Sequence, residues 1–284
     1  GSLLTLKVEG LLGGHSGQDI DKERQNADLL MARMIQRLLK ETKGQLVSFN
    51  GGTKDNAIPR ECEASLIYES DEEAAKAEEL ACELAETYAE ELTPAEPDFS
   101  CEISCETNRT AEAIPQDAAK EFICAMRLAP NGIQKRNIKM DGFVVVSLNL
   151  GVVRTEEDRI VMIFSPRSSV ASLQEDTKER LNTLAETFGF TVSHSSEYPG
   201  WSFKEDSPVR EICKESYKEL FGEDLKIEAI HAGLECGLFS DAIKGLDAIA
   251  IGPTIANCHT PDEYLTLDSF ERFYEFLKDI LSRL

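Results

Sequence analysis

The spacing of apolar residues over about the first 110 positions predicts two helices among four strands. Short alternations of apolar and polar side chains predict strands at 5–11, 46–49, 61–68 and 99–105. Residues 26–39 and 71–92 instead repeat apolar side chains at helical spacing, and glutamates crowd the outer face of the second helix. The order strand–helix–strand–strand–helix–strand is that of a split βαβ sandwich.

Residues from about 111 to 198 repeat this plan without repeating the sequence. Helices are predicted at 116–128 and 172–188, and strands at 143–153, 159–165 and 190–194. The two stretches therefore predict an α+β region of two ferredoxin-like (split βαβ) sandwich units, about 3–110 and 111–198.

A domain boundary is predicted at Tyr198-Pro199-Gly200-Trp201, because proline and glycine interrupt the pattern there. Beyond it, helices alternate with short apolar strands at 226–230 and 247–251, which predicts a parallel α/β unit over 199–284. Two clear strands are few for a sheet that must be buried on both faces. The unit is therefore expected to be part of a larger domain.

Composition narrows the class of protein and its partners. The 284 residues carry a formal net charge of −22, which argues against binding to nucleic acid or anionic membranes. No apolar run reaches the roughly 20 residues of a membrane helix, and no secretory signal opens the sequence. The eight cysteines form no CxxC pair, so reduced thiols and a cytoplasmic location are expected. Gly1-Ser2 is typical of a cloning remnant, and the chain is expected to begin within a longer natural protein.

Two motifs in residues 199–284 are candidates for chemistry. His259 follows the apolar segment 248–251, and sites in α/β sheets form at the carboxyl ends of strands. Its loop is also typical of a simple turn, since a zinc site needs three or four ligands and no others lie near it in sequence. His231 and Glu235 lie where a strand gives way to a helix. That place suits an anion such as a substrate carboxylate, or it is only a turn in which Glu235 favours the helix dipole.

Three residues of the first region also have two interpretations each. His15, between glycine pairs, is either an exposed donor on a mobile tip or a polar residue of a β-turn. Asn56, next to Ile58-Pro59, is a turn former or a donor to a ligand. Arg167 ends a strand, where its guanidinium either clamps a carboxylate in bidentate fashion or covers the surface.

Five motifs follow one another along the chain. They are Gly-Gly-His-Ser-Gly at 13–17, Asn-Ala-Ile-Pro at 56–59, Ser-Pro-Arg-Ser-Ser at 165–169, His-Ala-Gly-Leu-Glu-Cys-Gly at 231–237 and Cys-His-Thr-Pro-Asp-Glu at 258–263. Together they resemble the aminoacyl-histidine dipeptidases, also described as cytosolic non-specific dipeptidases. These enzymes belong to the di-zinc metallopeptidases that include peptidase T and the carnosinases. The resemblance implies that 3–198 are a lid enlarged by a duplicated sandwich. It also implies that 199–284 are the last segment of the catalytic α/β domain.

For an intact enzyme the resemblance implies hydrolysis with two zinc ions, or another divalent metal in their place. The metal polarises the peptide carbonyl of an Xaa-His or related dipeptide and activates the attacking water. His259 binds one zinc. His15 stabilises the tetrahedral oxyanion, a role completed either by lid closure or by the second subunit of a homodimer.

The resemblance also implies how the dipeptide substrate is held. Asn56 and Arg167 hold its terminal carboxylate. Glu235 lies near the zinc site and the substrate amino group, and His231 lines the same pocket.

The chain departs from this family where most of the metal site is expected. Nothing in it matches the family's His-x-Asp and Glu-Glu motifs, which supply most zinc ligands and the general base. The chain is therefore expected to be a fragment that lacks an N-terminal catalytic segment and is inactive alone. The alternative is a non-enzymatic acidic dimerisation or binding module built on ferredoxin-like sandwiches.

Overall fold

The computed structural model describes residues 1–138, 142–195, 201, 203–228, 235–256 and 263–284. The structure has a mixed α/β fold and divides into two compact units, Gly1–Ser195 and Ser196–Leu284. This division lies close to the boundary predicted after residue 198. Each unit has an apolar core of its own.

The first unit is built on one antiparallel sheet of seven strands, and two shorter strands pair separately. The strands are β1 (Ser2–Glu9), β2 (Gly14–His15), β3 (Gln45–Gly51), β4 (Ala57–Ile58), β5 (Cys62–Tyr68), β6 (Ser100–Glu106), β7 (Gly132–Asn137), β8 (Phe143–Thr155) and β9 (Ile160–Ser168). The strand order along the sheet is β6-β1-β5-β3-β8-β7, and β9 also pairs with β8. Its first half, β6-β1-β5-β3, is the order expected of a split βαβ unit.

In the described part of the first unit, four α-helices accompany this sheet. They are α1 (Ala27–Glu41), α2 (Asp71–Leu92), α3 (Gln116–Leu128) and α4 (Ala171–Phe188). The side chain of Asn26 accepts hydrogen bonds from the first-turn amides of α1, and Ser70 caps α2 in the same way. Gly189 adopts the left-handed conformation that ends α4. All four predicted helices of this unit are confirmed to within two residues at each end.

The core lies between the sheet and these helices. Alternate residues of β1 are fully buried and meet the apolar stripe of α1, as the two periodicities require. The buried apolar residues of these two elements are Leu4, Leu6, Val8, Ala27, Leu30, Met31, Ala32, Met34, Ile35 and Leu38. The α2 stripe and α3 extend the same core, which is the main apolar cluster of the first unit. Ile20, Ile58 and Val144 form a second, smaller cluster.

The second half of the sheet corrects the predicted repeat. Residues 190–194 form no strand, because this mostly polar segment is exposed and leaves even Val192 43% exposed. The strand β7 was not expected, since Gly132–Asn137 has no apolar alternation; it pairs with the next strand, β8. Val153 pairs with both β3 and β9, which joins the two halves in one sheet rather than in two separate sandwiches.

The second unit is smaller and mostly helical. Its elements are α5 (Pro208–Phe221), α6 (Glu235–Ala242), β10 (Ile255–Ala256), β11 (Tyr264–Leu265) and α7 (Leu267–Arg283). Its core consists of Cys213, Phe276 and Ile280 with partly buried neighbours, where α5 packs against α7. Both of these helices were predicted.

The predicted parallel sheet is not found in the described part of this unit. Residues 247–251 form no strand, and neither do 226–228, the described part of the predicted strand 226–230. Among the described residues of the unit, the pair β10–β11 is the one ladder, and it is antiparallel. A strand pattern becomes a strand only where a neighbour completes its hydrogen bonds, and neither segment has such a neighbour among the residues that the structure describes.

Candidate functional site

The loop that carries His15 is held against the loop that carries Asn56. The short strands β2 and β4 pair antiparallel, with His15 opposite Ala57. Gly14 has a φ of +135°, and a Cβ at this position would lie 2.7 Å from a carboxylate oxygen of Asp19. Both the backbone angle and the close approach therefore require glycine before His15.

Backbone amides fix the tautomer of the His15 ring. Nδ1 accepts hydrogen bonds from the amides of Gly17 and Gln18, each at 3.1 Å. In this arrangement Nδ1 bears no proton, so the neutral ring bears its proton at Nε2. The ring is thus arranged as an N–H donor at Nε2, which is the chemistry needed to stabilise a developing oxyanion.

Asp19 supports this loop from four residues downstream. Its Oδ2 accepts the His15 amide at 2.8 Å, and its Oδ1 accepts from Lys22 Nζ at 2.5 Å. Partial burial opposes ionisation of Asp19, but the bonds from Lys22 and the His15 amide outweigh it and lower the pKa of this carboxyl. The loop therefore contains a stable carboxylate that holds the backbone of His15.

Asn56 is bonded to the same loop through its backbone. Its carbonyl accepts a hydrogen bond from the buried Ser16 amide at 2.9 Å, while Asn56 itself is exposed. Ala57 bonds back to the carbonyl of Lys54 at 3.2 Å, which closes a turn around Asn56. Asn56 is thus a turn former, as one interpretation held, and it is exposed on a fixed turn.

Arg167 extends from β9 to this place. Its Nε donates to the hydroxyl of the buried Ser16 at 3.3 Å. Burial lowers the pKa of its guanidinium from the usual value, and the Asp55 carboxylate opposes that shift. Arginine nevertheless stays protonated in proteins, so Arg167 is a half-buried cation.

Three predicted site residues therefore meet around Ser16, and we call His15, Ser16, Asn56 and Arg167 the Ser16 cluster. A cation, a ring N–H and an exposed carboxamide make a donor-rich group. Such a group suits a carboxylate or an oxyanion far better than a cation.

The other three predicted site residues belong to the second unit. Glu235 is the first residue of α6 and is exposed, a position at which its charge favours the helix dipole. His231 and His259 lie outside the described residues. Their assigned roles, and that of Glu235 at the substrate, stay predictions.

The described residues contain no group that could form a metal site. Nowhere in these ranges do three or more His, Cys, Asp or Glu side chains come together in a way that could hold a metal ion. The described residues therefore do not make up a metal centre by themselves, and we assign no step of a reaction to a metal held by them. Within the same ranges, no helix is long and apolar enough to cross a membrane.

Sequence reasoning missed three residues that shape this site. Ser16 and Asp19 lie within or just after the Gly-Gly-His-Ser-Gly motif but had been given no role. Asn149 lies in β8, in which residues 144–153 are buried on both faces of the strand. An asparagine in a mostly apolar strand was the available signal for Asn149.

Comparison with known proteins places these features in a family context. A model of peptidase family M20/M25/M40 matches residues 43–283. The cytosol non-specific dipeptidase of Escherichia coli (strain K12) is 33% identical over 283 residues, which are 98% of this chain and 57% of that protein. The crystal structure of aminoacylhistidine dipeptidase from Vibrio alginolyticus matches with a TM-score of 0.89 and 33% identity, over 99% of this chain and 57% of that one. The chain thus spans 57% of the length of each relative.

Proposed function

Because the chain belongs to peptidase family M20/M25/M40, we propose that it carries the substrate-binding face of a metal-dependent dipeptidase. The Ser16 cluster is the observation that supports this proposal most directly. It brings Arg167, His15 and Asn56 together from three distant parts of the sequence. Both relatives are dipeptidases by name, which favours an enzyme over the non-enzymatic module.

Each member of the cluster has a distinct role in this proposal. The Arg167 guanidinium binds the terminal carboxylate of the dipeptide, and the Asn56 carboxamide donates to the same group. His15, with its ring proton on Nε2, donates to the oxyanion that forms when the peptide carbonyl is attacked. The metal centre of the enzyme is brought to His15 by lid closure or by a second subunit of a homodimer.

The finer features of the proposal concern substrate, metal and location. We propose Xaa-His and related dipeptides as substrates, zinc as the metal and the cytoplasm as the compartment. His259 is proposed as a zinc ligand, with His231 and Glu235 in the adjoining pocket. The names of the two relatives, which specify a cytosol enzyme and an aminoacylhistidine dipeptidase, support substrate class and location.

Turnover requires more metal ligands than this chain is assigned. His259 is the one residue proposed to bind zinc, whereas a catalytic zinc needs three protein ligands. We therefore propose that a further catalytic segment supplies the others and that these 284 residues alone are inactive. The test is an assay of the purified chain with added zinc and β-Ala-His. Clear turnover that is abolished by His259→Ala would contradict this part of the proposal.

Carboxylate recognition is testable without turnover. Calorimetric titration with β-Ala-His and with its C-terminal amide measures what the carboxylate contributes to binding. Arg167→Gln is expected to weaken binding of the acid by about 10- to 100-fold, the range for a lost charged hydrogen bond, and to leave the amide unaffected. The control is Arg154→Gln, because Arg154 is an exposed arginine of β8 paired with Glu156. If the wild-type chain binds acid and amide equally, Arg167 is not the carboxylate receptor.

A further inference from the structure

One carboxamide in β8 bonds to the backbone on both sides of Asn56. Asn149 is 1% exposed, and its Nδ2 donates to the carbonyls of Asp55 at 3.1 Å and Ala57 at 2.8 Å. The carbonyl between them, that of Asn56, accepts from the Ser16 amide. Three consecutive carbonyls of the turn are therefore fixed, two by Asn149 and one by the loop that carries His15.

The neighbouring glycine on the same face of β8 shows how closely the strand approaches this turn. A Cβ at Gly151 would lie 2.5 Å from the carbonyl oxygen of Asp55 and 2.7 Å from its Cα. The strand and the turn are thus in direct backbone contact at Gly151. Asn149 supplies the hydrogen bonds that set the position of the turn at that contact.

The side of the turn that Asn149 contacts also adjoins open space. Asn149 lines a cavity of about 340 Å³ together with Ile20 and Ile58, so open space adjoins the turn around Asn56. The Asn149 Oδ1 has no hydrogen-bond partner among the described residues, although it is buried. The two donated bonds fix the orientation of the amide, since a flipped amide would place Oδ1 against two carbonyl oxygens.

Asn149 also lies beside the strand that supplies Arg167. It pairs with Ser165 of β9, and Ser147, two positions earlier, pairs with Arg167. One strand therefore connects the guanidinium, the Asn56 turn and, through Ser16, the His15 loop.

We propose that Asn149 is a positioning residue that holds Asn56 and the His15 loop in register with Arg167; as a role in catalysis, this rests on the proposed function. Asn149 contacts the backbone of the turn and acts on the substrate only through Asn56 and Ser16. Its removal therefore loosens the turn while the fold of the first unit remains.

The Ser16 amide gives a readout that does not depend on activity. Hydrogen exchange of the full chain is measured for Asn149→Ala and for a control, Leu84→Ala, which removes core packing in α2. In Asn149→Ala the Ser16 amide is expected to lose about tenfold in protection, as for an ordinary hydrogen bond, relative to the amides of β1. In Leu84→Ala, the ratio of the Ser16 protection factor to those of the β1 amides is expected to stay at its wild-type value. Equal losses at Ser16 and β1 in Asn149→Ala would overturn the proposal.

A pH dependence separates positioning from simple loss of packing. In Asn149→Asp a neutral carboxyl can still donate to one carbonyl, whereas the ionised form repels both carbonyl oxygens. The protection factor of Ser16 in this variant is expected to fall as pH rises, and that of Asn149→Ala is not. If the Ser16 protection factor in Asn149→Asp does not depend on pH, the proposed positioning role of Asn149 is contradicted.

Dipeptide binding then distinguishes this proposal from the proposed function. If wild type binds β-Ala-His, Asn149→Ala is expected to weaken that binding by about tenfold with Arg167 intact. Unchanged affinity would overturn the positioning role. If wild type binds no dipeptide, the proposed function fails, and the Ser16 exchange result still decides whether Asn149 holds the turn.

Discussion

The two units of the chain differ in how completely they bury their apolar residues. In the first unit the large exposed apolar side chains are few among the described residues: Leu12, Leu128, Ile138 and Val192. The second, much shorter unit exposes many more. They are Phe203, Leu220, Ile227, Leu238, Phe239, Ile243, Ile251, Ile255, Tyr264, Leu265, Leu267, Phe270, Tyr274, Leu281 and Leu284.

This difference follows from architecture. In the first unit a seven-stranded sheet and the helices α1, α2 and α3 enclose one large core, and a smaller apolar cluster lies beside it. In the second, the described core is a contact between α5 and α7 centred on Cys213, Phe276 and Ile280. The Ser16 cluster thus belongs to the unit with the larger buried core, whereas the described residues of the unit that contains His259 leave much apolar surface exposed. Exposed apolar surface on this scale is typical of an interaction surface.

Core truncation in each unit gives the largest expected effect. Phe49 is fully buried and packs edge-to-face on Phe122 at 5.4 Å, so Phe49→Ala should cost about 3–5 kcal/mol in the unfolding of the first unit. Phe276→Ala, which removes a ring packed 5.3 Å from Tyr217, should affect the second unit alone. Urea unfolding followed by circular dichroism and by the fluorescence of Trp201, the single tryptophan, separates the two units. Equal shifts of both signals in either variant would mean that the units unfold as one.

A buried carboxyl makes the stability of the first unit depend on pH. Asp28 is fully buried in the first turn of α1, and burial raises its pKa to about 7, although the neighbouring Cys62 thiol limits the rise. In the unfolded chain its pKa is about 3.9. From about pH 4 to pH 7 the unfolded chain loses this proton while the folded chain keeps it. Folding stability therefore falls by roughly 4 kcal/mol over that window and changes no further above it.

Asp28→Asn tests this dependence, because asparagine has nearly the same shape and does not ionise. The variant should lose the decline in the free energy of unfolding between pH 4 and pH 7. It should be more stable than wild type at pH 8, as measured by urea titration at several pH values. If wild type and variant show parallel pH profiles, Asp28 does not keep its proton in the folded chain.

Self-association should depend on the second unit. Its exposed apolar side chains are expected to pair between copies of the chain, and light scattering should show growing particle mass with concentration. Phe270→Ser removes a 47% exposed ring and should weaken association by about tenfold. Leu128→Ser on the first unit, where the leucine is 64% exposed, is the control and should change little. If the chain remains a monomer at high concentration, the expectation that the second unit drives self-association is wrong.

Local signals explain what the sequence could predict. Asn26, Ser70 and Gly189 mark helix ends through bonds and backbone angles within a few residues, and those helices were predicted correctly. The segment 247–251 had a strand pattern, but a strand also needs a distant neighbour that a pattern does not specify. The strand β7 was missed for a different reason: its residues lack apolar alternation, and only its pairing with the next strand, β8, makes it a strand.

The candidate site shows the same limit. Motifs pointed to His15, Asn56 and Arg167 one by one, but their meeting at Ser16 depends on a contact across 151 positions of sequence. The His15 tautomer depends on two amides whose direction is set by the fold. Asn149 could be noticed as a buried polar residue, but its partners could not be known. Residue types could be predicted from the sequence; their convergence could not.

The most direct test of the central claim is a nitrogen-15 NMR titration of the full chain with β-Ala-His and, separately, with its C-terminal amide. If the Ser16 cluster is the substrate carboxylate site, β-Ala-His shifts the resonances of the Ser16 backbone N–H and the Arg167 Nε–H. The C-terminally amidated dipeptide leaves both resonances in place. Resonances in the second unit need not respond. The account would be contradicted if β-Ala-His and its C-terminal amide produced the same shifts. It would also be contradicted if neither compound moved the Ser16 and Arg167 signals.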